Sequence, residues 1–264
     1  MRGGMTFMEY MSSVEGLTLI GEVSTGCSLS RVMRVRSKGT DFFLKYSDDS
    51  EESARILREC RVFEEMSGKL PLPRLRSYGT YNNMTYMLTH GVSGKSAAEL
   101  CKEYEPERMM MLLCAAMAGL HSVDISHCPI INDLDKKLFL ARERMLRGAV
   151  DESDFDKKRQ GMSAREIFVL LLKNRPEHED SVFTHGDFCL PNIMFDAAGN
   201  VVFIDMGGAG IACRYQDIAL MLRSFQYNYG IVAYETVAEM FEKHAAIQID
   251  AGLVEYYQAL DEMF

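Results

Sequence analysis

Around residue 91 the hydrophobic pattern of this chain changes period, and that change limits the available folds more than any other feature. Upstream, apolar residues come in short runs at 17–23, 31–36, 42–46 and 85–89, with the turn signal Lys38-Gly39-Thr40 before the third. One helix interrupts them. Leu57, Cys60, Phe63 and Met66 recur at helical spacing, acids precede them, and Gly68 follows as a stop. Pro71 and Pro73 mark an extended link, and residues 90–94 read as a hinge. Downstream the period is helical. Residues 106–122 begin with proline and place Met109, Leu112, Leu113, Ala116 and Leu120 on one face. Further helices are expected within 133–175, around a polar stretch at 151–161 that reads as a mobile loop, and near 215–226, 231–245 and 249–262. The runs 193–196 and 201–205 flank Ala197-Ala198-Gly199-Asn200 as a β-hairpin. The expected architecture is α+β in two lobes. Residues 1–91 form a small β-rich lobe with one main helix, and 92–264 form a larger, mainly helical lobe with a helical insertion near 130–180.

Composition narrows the partners. A net charge of −9 argues against nucleic acid, whose phosphates it repels, and suits a cationic ligand if the acids converge on a cleft. No apolar run approaches the roughly 20 residues needed to span a bilayer. Residues 1–13 lack the apolar core and small-residue cleavage site of a signal peptide, so a cytoplasmic chain is expected. Cysteines at 27, 60, 101, 114, 128, 189 and 213 show no metal-type spacing and read as free thiols.

The densest polar signal runs from His185 to Asn192, with Gly186, Asp187 and Pro191 inside it, followed by Phe203-Ile204-Asp205. Asp187 falls in a tight loop, Asn192 at the entry to the hairpin and Asp205 at the end of its second strand. The hairpin folds the chain back, which allows Asn192 and Asp205 to serve one hard cation with an amide and a carboxylate oxygen. Asp187 is then left to orient or accept the proton of an attacking hydroxyl. In the upstream half, Lys45 sits inside the apolar run Phe42-Phe43-Leu44-Lys45-Tyr46, a costly place for an ammonium without a fixed anion. Glu59, on the following helix, is a suitable partner, and the pair matches the lysine and glutamate of kinase chemistry.

With these residues in place the sequence resembles the aminoglycoside 3'-phosphotransferases, essentially from end to end. The resemblance includes GKLPLPRL at 68–75, LHSVDISHCP at 120–129, RYQDIAL at 214–220 and YYQALDEMF at 256–264. It implies a two-lobed, protein-kinase-like fold and transfer of the γ-phosphate of magnesium ATP, or GTP, to a sugar hydroxyl of an aminoglycoside. By that resemblance Asp187 matches the catalytic aspartate, and Asn192 and Asp205 match the Mg2+ ligands. Lys45 and Glu59 match the phosphate-binding lysine and its partner, and Phe43 the aromatic that stacks on adenine. Gly26 and Ser28 match the loop covering the nucleotide, and the hinge with Thr89 and Gly91 the segment that reads its base. Asp154, Asp156, Asp261, Glu262 and the Phe264 carboxylate match the acids that bind substrate ammonium groups. His121, His185 and Asp217 are read as supports of local structure.

One departure stands out. After Asp205 the family commonly carries a Gly-Arg pair, whereas this chain has Gly207-Gly208 and loses a cation there. Two alternatives stay open from sequence: a related kinase for another metabolite or antibiotic hydroxyl, and a nucleotide-binding regulatory protein with vestigial activity. Oligomeric state reads as monomer or weak homodimer.

Overall fold

Alternation along a single strand organises the first half of the chain. The computed structural model describes residues 5–23, 30–231 and 233–264. The chain divides into two units, the first comprising Met1–Gly94 with Phe195–Gly208 and the second Lys95–Met194 with Ala209–Phe264. In the first unit, helix α1 (Phe7–Glu15) precedes strands β1 (Thr18–Glu22), β2 (Arg31–Ser37) and β3 (Thr40–Ser47). Helix α2 (Ser50–Glu65) leads to β4 (Leu75–Tyr81) and β5 (Met84–His90). These strands form an antiparallel sheet in the order β1-β2-β3-β5-β4.

Successive side chains on β3 point to opposite faces. Phe42, Leu44 and Tyr46 therefore join Val35, Tyr86 and Leu88 in one apolar cluster, which α1 covers through Met11, with Phe7, Met8 and Tyr10 packed beside it. Each large side chain buried this fully contributes about 1.5–3 kcal/mol of transfer free energy. The alternate residues, Phe43 and Lys45, face the other side. Helix α2 begins where expected for physical reasons. Asp49 accepts the N–H groups of Glu51 and Glu52, and those acids complement the helix dipole.

Helix α1 and strand β4 were not anticipated. Thr6 and Glu9 form a reciprocal capping box that starts α1. Strand β4 begins just past the proline link, and although its burial alternates regularly, Gly79 leaves one inward position without a side chain.

The second unit carries β6 (Lys95–Ser96), the short α3 (Ala97–Leu100), α4 (Pro106–His121), α5 (Leu134–Arg147), α6 (Ala164–Lys173) and β7 (Ser181–Thr184). Strand β8 (Ile193–Phe195) takes the chain into the first unit, where β9 (Val201–Phe203) follows. The second unit resumes with β10 (Gly210–Cys213), α7 (Tyr215–Tyr229), α8 (Tyr234–Ala245) and α9 (Ala251–Asp261). Helix α7 is buried along nearly its whole first half and packs against α8 and α9. Strands β7 and β10 pair antiparallel, a contact between four-residue strands that no local pattern announced. Among the described residues no helix is long and apolar enough to cross a membrane.

The stretch 151–161 departs from the mobile loop expected of it. It holds no helix, but Phe155 and Arg159 are buried at 6% and 4% exposure, which anchors it. The reason is that Arg159 meets carboxylates from three places at once.

Candidate active site

Lys45 is the centre of the first unit's polar side. It is 8% exposed, and its Nζ lies 3.0 Å from Glu59 Oε2 and 2.8 Å from Asp205 Oδ1. Burial works against the ammonium, but the two carboxylates outweigh it and hold the Lys45 pKa above the usual lysine range. Glu59 is itself 1% exposed, and its Oε1 accepts the Met206 N–H at 3.0 Å. One glutamate thus ties α2 to both the lysine and the turn after Asp205. Asp205 adopts φ 56°, a left-handed backbone unusual for a residue with a Cβ and a mark of a position held by its surroundings.

The strand register sets the neighbours. Phe43 pairs with Thr89 across β3 and β5, so these two candidates lie side by side, while Lys45 pairs with Met87. The Gly91 N–H donates to Asp41 O at 2.9 Å, which fixes the segment after β5. Gly26 and Ser28 lie outside the described residues.

In the second unit the chain leaves β7 at Thr184 and turns through Gly186, at φ 80°. Asp187 is half-buried, and the Asn192 side chain donates through Nδ2 to Asp187 Oδ2 at 2.9 Å and to Asp187 O at 3.1 Å. That bond fixes the carboxylate's rotation and leaves the amide oxygen as the atom Asn192 can offer a cation. Asp205 in the first unit and Asn192 in the second each carry a hard oxygen of the kind Mg2+ takes alongside phosphate and water.

The loop is held from behind by Asp217 on α7. Its carboxylate is fully buried and accepts the N–H groups of His185 and Gly186, both at 2.9 Å. His121 Nε2 lies 2.9 Å from the same carboxylate. The reading of His121 and Asp217 as structural supports agrees with this geometry.

The remaining acids gather near the chain end. Asp156 accepts the main-chain N–H of Lys158 and Arg159 and pairs with the Arg159 guanidinium. Arg159 also meets Glu255, and Glu262 at 3.8 Å. Glu262 Oε2 accepts the Asp156 N–H at 3.1 Å, and its Oε1 lies 3.5 Å from Arg223. Burial, with the Asp156 charge adding to it, pushes Glu262 up to about 7. Asp261 pairs with Arg223. Arg144 donates to Met263 O and Phe264 O at 2.9 and 2.8 Å. Asp154 is exposed.

Sequence reasoning named the acids but missed their arginines: 144, 159 and 223 here, and Arg55 beside Asp205. For Arg55 a signal existed, because it stands four residues before Glu59 and so shares its helix face. For the others the partners are 38 or more positions away, or lie in an irregular loop.

Comparison with known proteins gives the family and the fold. The sequence model of the phosphotransferase enzyme family matches residues 20–253. The chain is 34% identical over 257 residues to an aminoglycoside 3'-phosphotransferase of Niallia circulans, a match covering 95% of this chain and 96% of that one. It is 32% identical over 245 residues to an aminoglycoside 3'-phosphotransferase of Escherichia coli, covering 91% and 89%. The crystal structure of an aminoglycoside-3'-phosphotransferase of type VIII aligns with a TM-score of 0.81 at 25% identity, over 94% of each chain. The α+β, protein-kinase-like fold expected from the sequence is the fold of these structures.

Proposed function

The chain belongs to the phosphotransferase enzyme family, and from that premise we propose that it phosphorylates aminoglycosides on the 3'-hydroxyl and so inactivates them. ATP or GTP is the phosphate donor, used with magnesium. The observation that carries this reading is Lys45, a buried ammonium held between Glu59 and Asp205 where phosphate oxygens can replace a carboxylate partner.

Lys45 holds the phosphates, and Glu59 keeps the lysine in place from its buried position. Phe43 stacks on the base, and the segment with Thr89 and Gly91 reads its edge. Asp205 and the Asn192 amide oxygen are the magnesium ligands. When bound, the ion neutralises charge on the phosphates. Asp187 orients the acceptor hydroxyl. A P–O bond forms to the sugar oxygen as the bond to the leaving diphosphate breaks, and Asp187 takes the hydroxyl proton late, because such transition states are loose. Asn192 keeps the Asp187 carboxylate turned for this task. Positioning and charge neutralisation supply most of the acceleration. Asp154, Asp156, Asp261, Glu262 and Phe264 form the side that receives the ammonium groups of the sugar.

A coupled kinase assay over aminoglycosides with and without a 3'-hydroxyl tests the proposal. Turnover is expected on kanamycin and none on its 3'-deoxy relatives; equal turnover would overturn the 3' assignment. In Asp187→Ala nucleotide binding should persist while transfer is lost, and near-normal turnover there would remove Asp187 from its role.

A further inference from the structure

Helix α2 presents more than Glu59 to the turn after Asp205. Arg55 lies one helical turn earlier, and its Nη2 is 3.4 Å from Asp205 Oδ1, the oxygen that Lys45 also reaches. Its stem crosses the turn at Gly207. A Cβ on Gly207 would stand 2.6 Å from Arg55 Cγ and 3.0 Å from its Nε, so glycine there is what gives the arginine its path. The side chain is 31% exposed, which leaves its head within reach of a ligand from solvent. Arg58, three positions on, is half-buried, and burial together with the Arg55 charge lowers its pKa. Helix α2 thus presents one guanidinium on the carboxylate oxygen that Lys45 also uses, and a second, three positions on, that feels the charge of the first.

We propose that Arg55 binds the phosphates of the nucleotide, reaching across Gly207 to add a second cation beside Lys45. The proposal rests on the phosphoryl-transfer reading above and deepens it. Lys45 is a compact point charge, whereas a planar guanidinium fork can take two phosphate oxygens at once. A divalent ion on Asp205 would draw on the carboxylate that Lys45 and Arg55 share, and phosphates held by Lys45 would lie within reach of the Arg55 fork.

The test is equilibrium binding of a non-hydrolysable magnesium ATP analogue, and of adenosine, to wild type, Arg55→Gln and Arg55→Lys. Arg55→Gln should weaken the triphosphate about tenfold, the loss expected for one charged hydrogen-bonding group. Adenosine affinity should not change, and Arg55→Lys should recover part of the loss. Wild-type triphosphate affinity in Arg55→Gln would overturn the proposal. So would an equal loss for adenosine, which would mean damage to the sheet and helix. The aminoglycoside reading is judged separately. Arg55-dependent nucleotide binding in a protein that phosphorylates none of the panel would refute the substrate and leave Arg55 standing. Full panel activity with an indifferent Arg55→Gln would refute Arg55 alone.

Discussion

Asp217 gives the sharpest test of how the loop bearing Asp187 is held. Its buried carboxylate accepts two consecutive backbone N–H groups and contacts the His121 ring. Alanine at 217 removes all three interactions and strands the His185 and Gly186 donors in a dry site. Each unsatisfied buried donor costs about 1–3 kcal/mol, so a total loss of about 3 kcal/mol is expected even if one donor finds water. For a protein of this size that corresponds to a melting temperature lower by roughly 6–12 °C. Asparagine keeps the volume and one acceptor but turns an NH2 toward a backbone donor, so Asp217→Asn should fall between alanine and wild type. Thermal unfolding by circular dichroism measures the first effect. Turnover well below the melting point measures the second, because a loosened loop should lower kcat about tenfold or more while leaving the KM for nucleotide in place. An Asp217→Ala protein melting within about 2 °C of wild type would refute this reasoning.

Two further outcomes follow from single positions. Glu262 has a folded pKa of about 7 against an ordinary 4.5, so its contribution to stability is complete below 4.5 and is lost as pH rises toward 7. Melting temperatures of wild type should therefore fall across that window relative to Glu262→Gln, and parallel profiles would disprove the assignment. Gly94 stands at φ 149°, and a Cβ there would lie 2.2 Å from Phe195 O. Gly94→Ala should cost at least about 2 kcal/mol, read as a lowered melting temperature, because backbone must move to admit it.

What could be read from the sequence divides along physical lines. Lys45 declared itself because a charge inside an apolar strand demands a partner, and helical spacing put Glu59 in reach of it. Short apolar runs gave β3 and β5, and helical spacing gave α4 and α7, because both signals are local. Strands β7 and β10 were invisible because four residues carry too little pattern and their pairing spans the loop bearing Asp187 and the hairpin. The left-handed backbone at Asp205 was equally hidden, since nothing in the residue type announces it. Helix α1 is a different case. Its capping box, Thr6 and Glu9, was present in the sequence, but polar residues and methionines diluted the periodicity that would have drawn notice to it.

The acids near the chain end show most clearly how structure changes a reading made from composition. Counted from sequence they look like a set of open negative charges waiting for a polycation. In the structure the carboxylates of Asp156, Glu255, Asp261 and Glu262 share their patch with the guanidiniums of Arg159 and Arg223 and the ammonium of Lys158. The formal excess within that network is thus one negative charge. The arginines are costly to a pure charge attractor but useful to a binding surface, because they hold each carboxylate in one orientation before a ligand arrives. Glu262 lowers the excess further near neutral pH, because burial raises its pKa to about 7 and favours the protonated form. An approaching ammonium favours the ionised form and expels that proton. A polycationic sugar would therefore raise the charge of its own site as it binds, and its affinity should increase as pH climbs through 7, so long as the ligand's amines keep their protons.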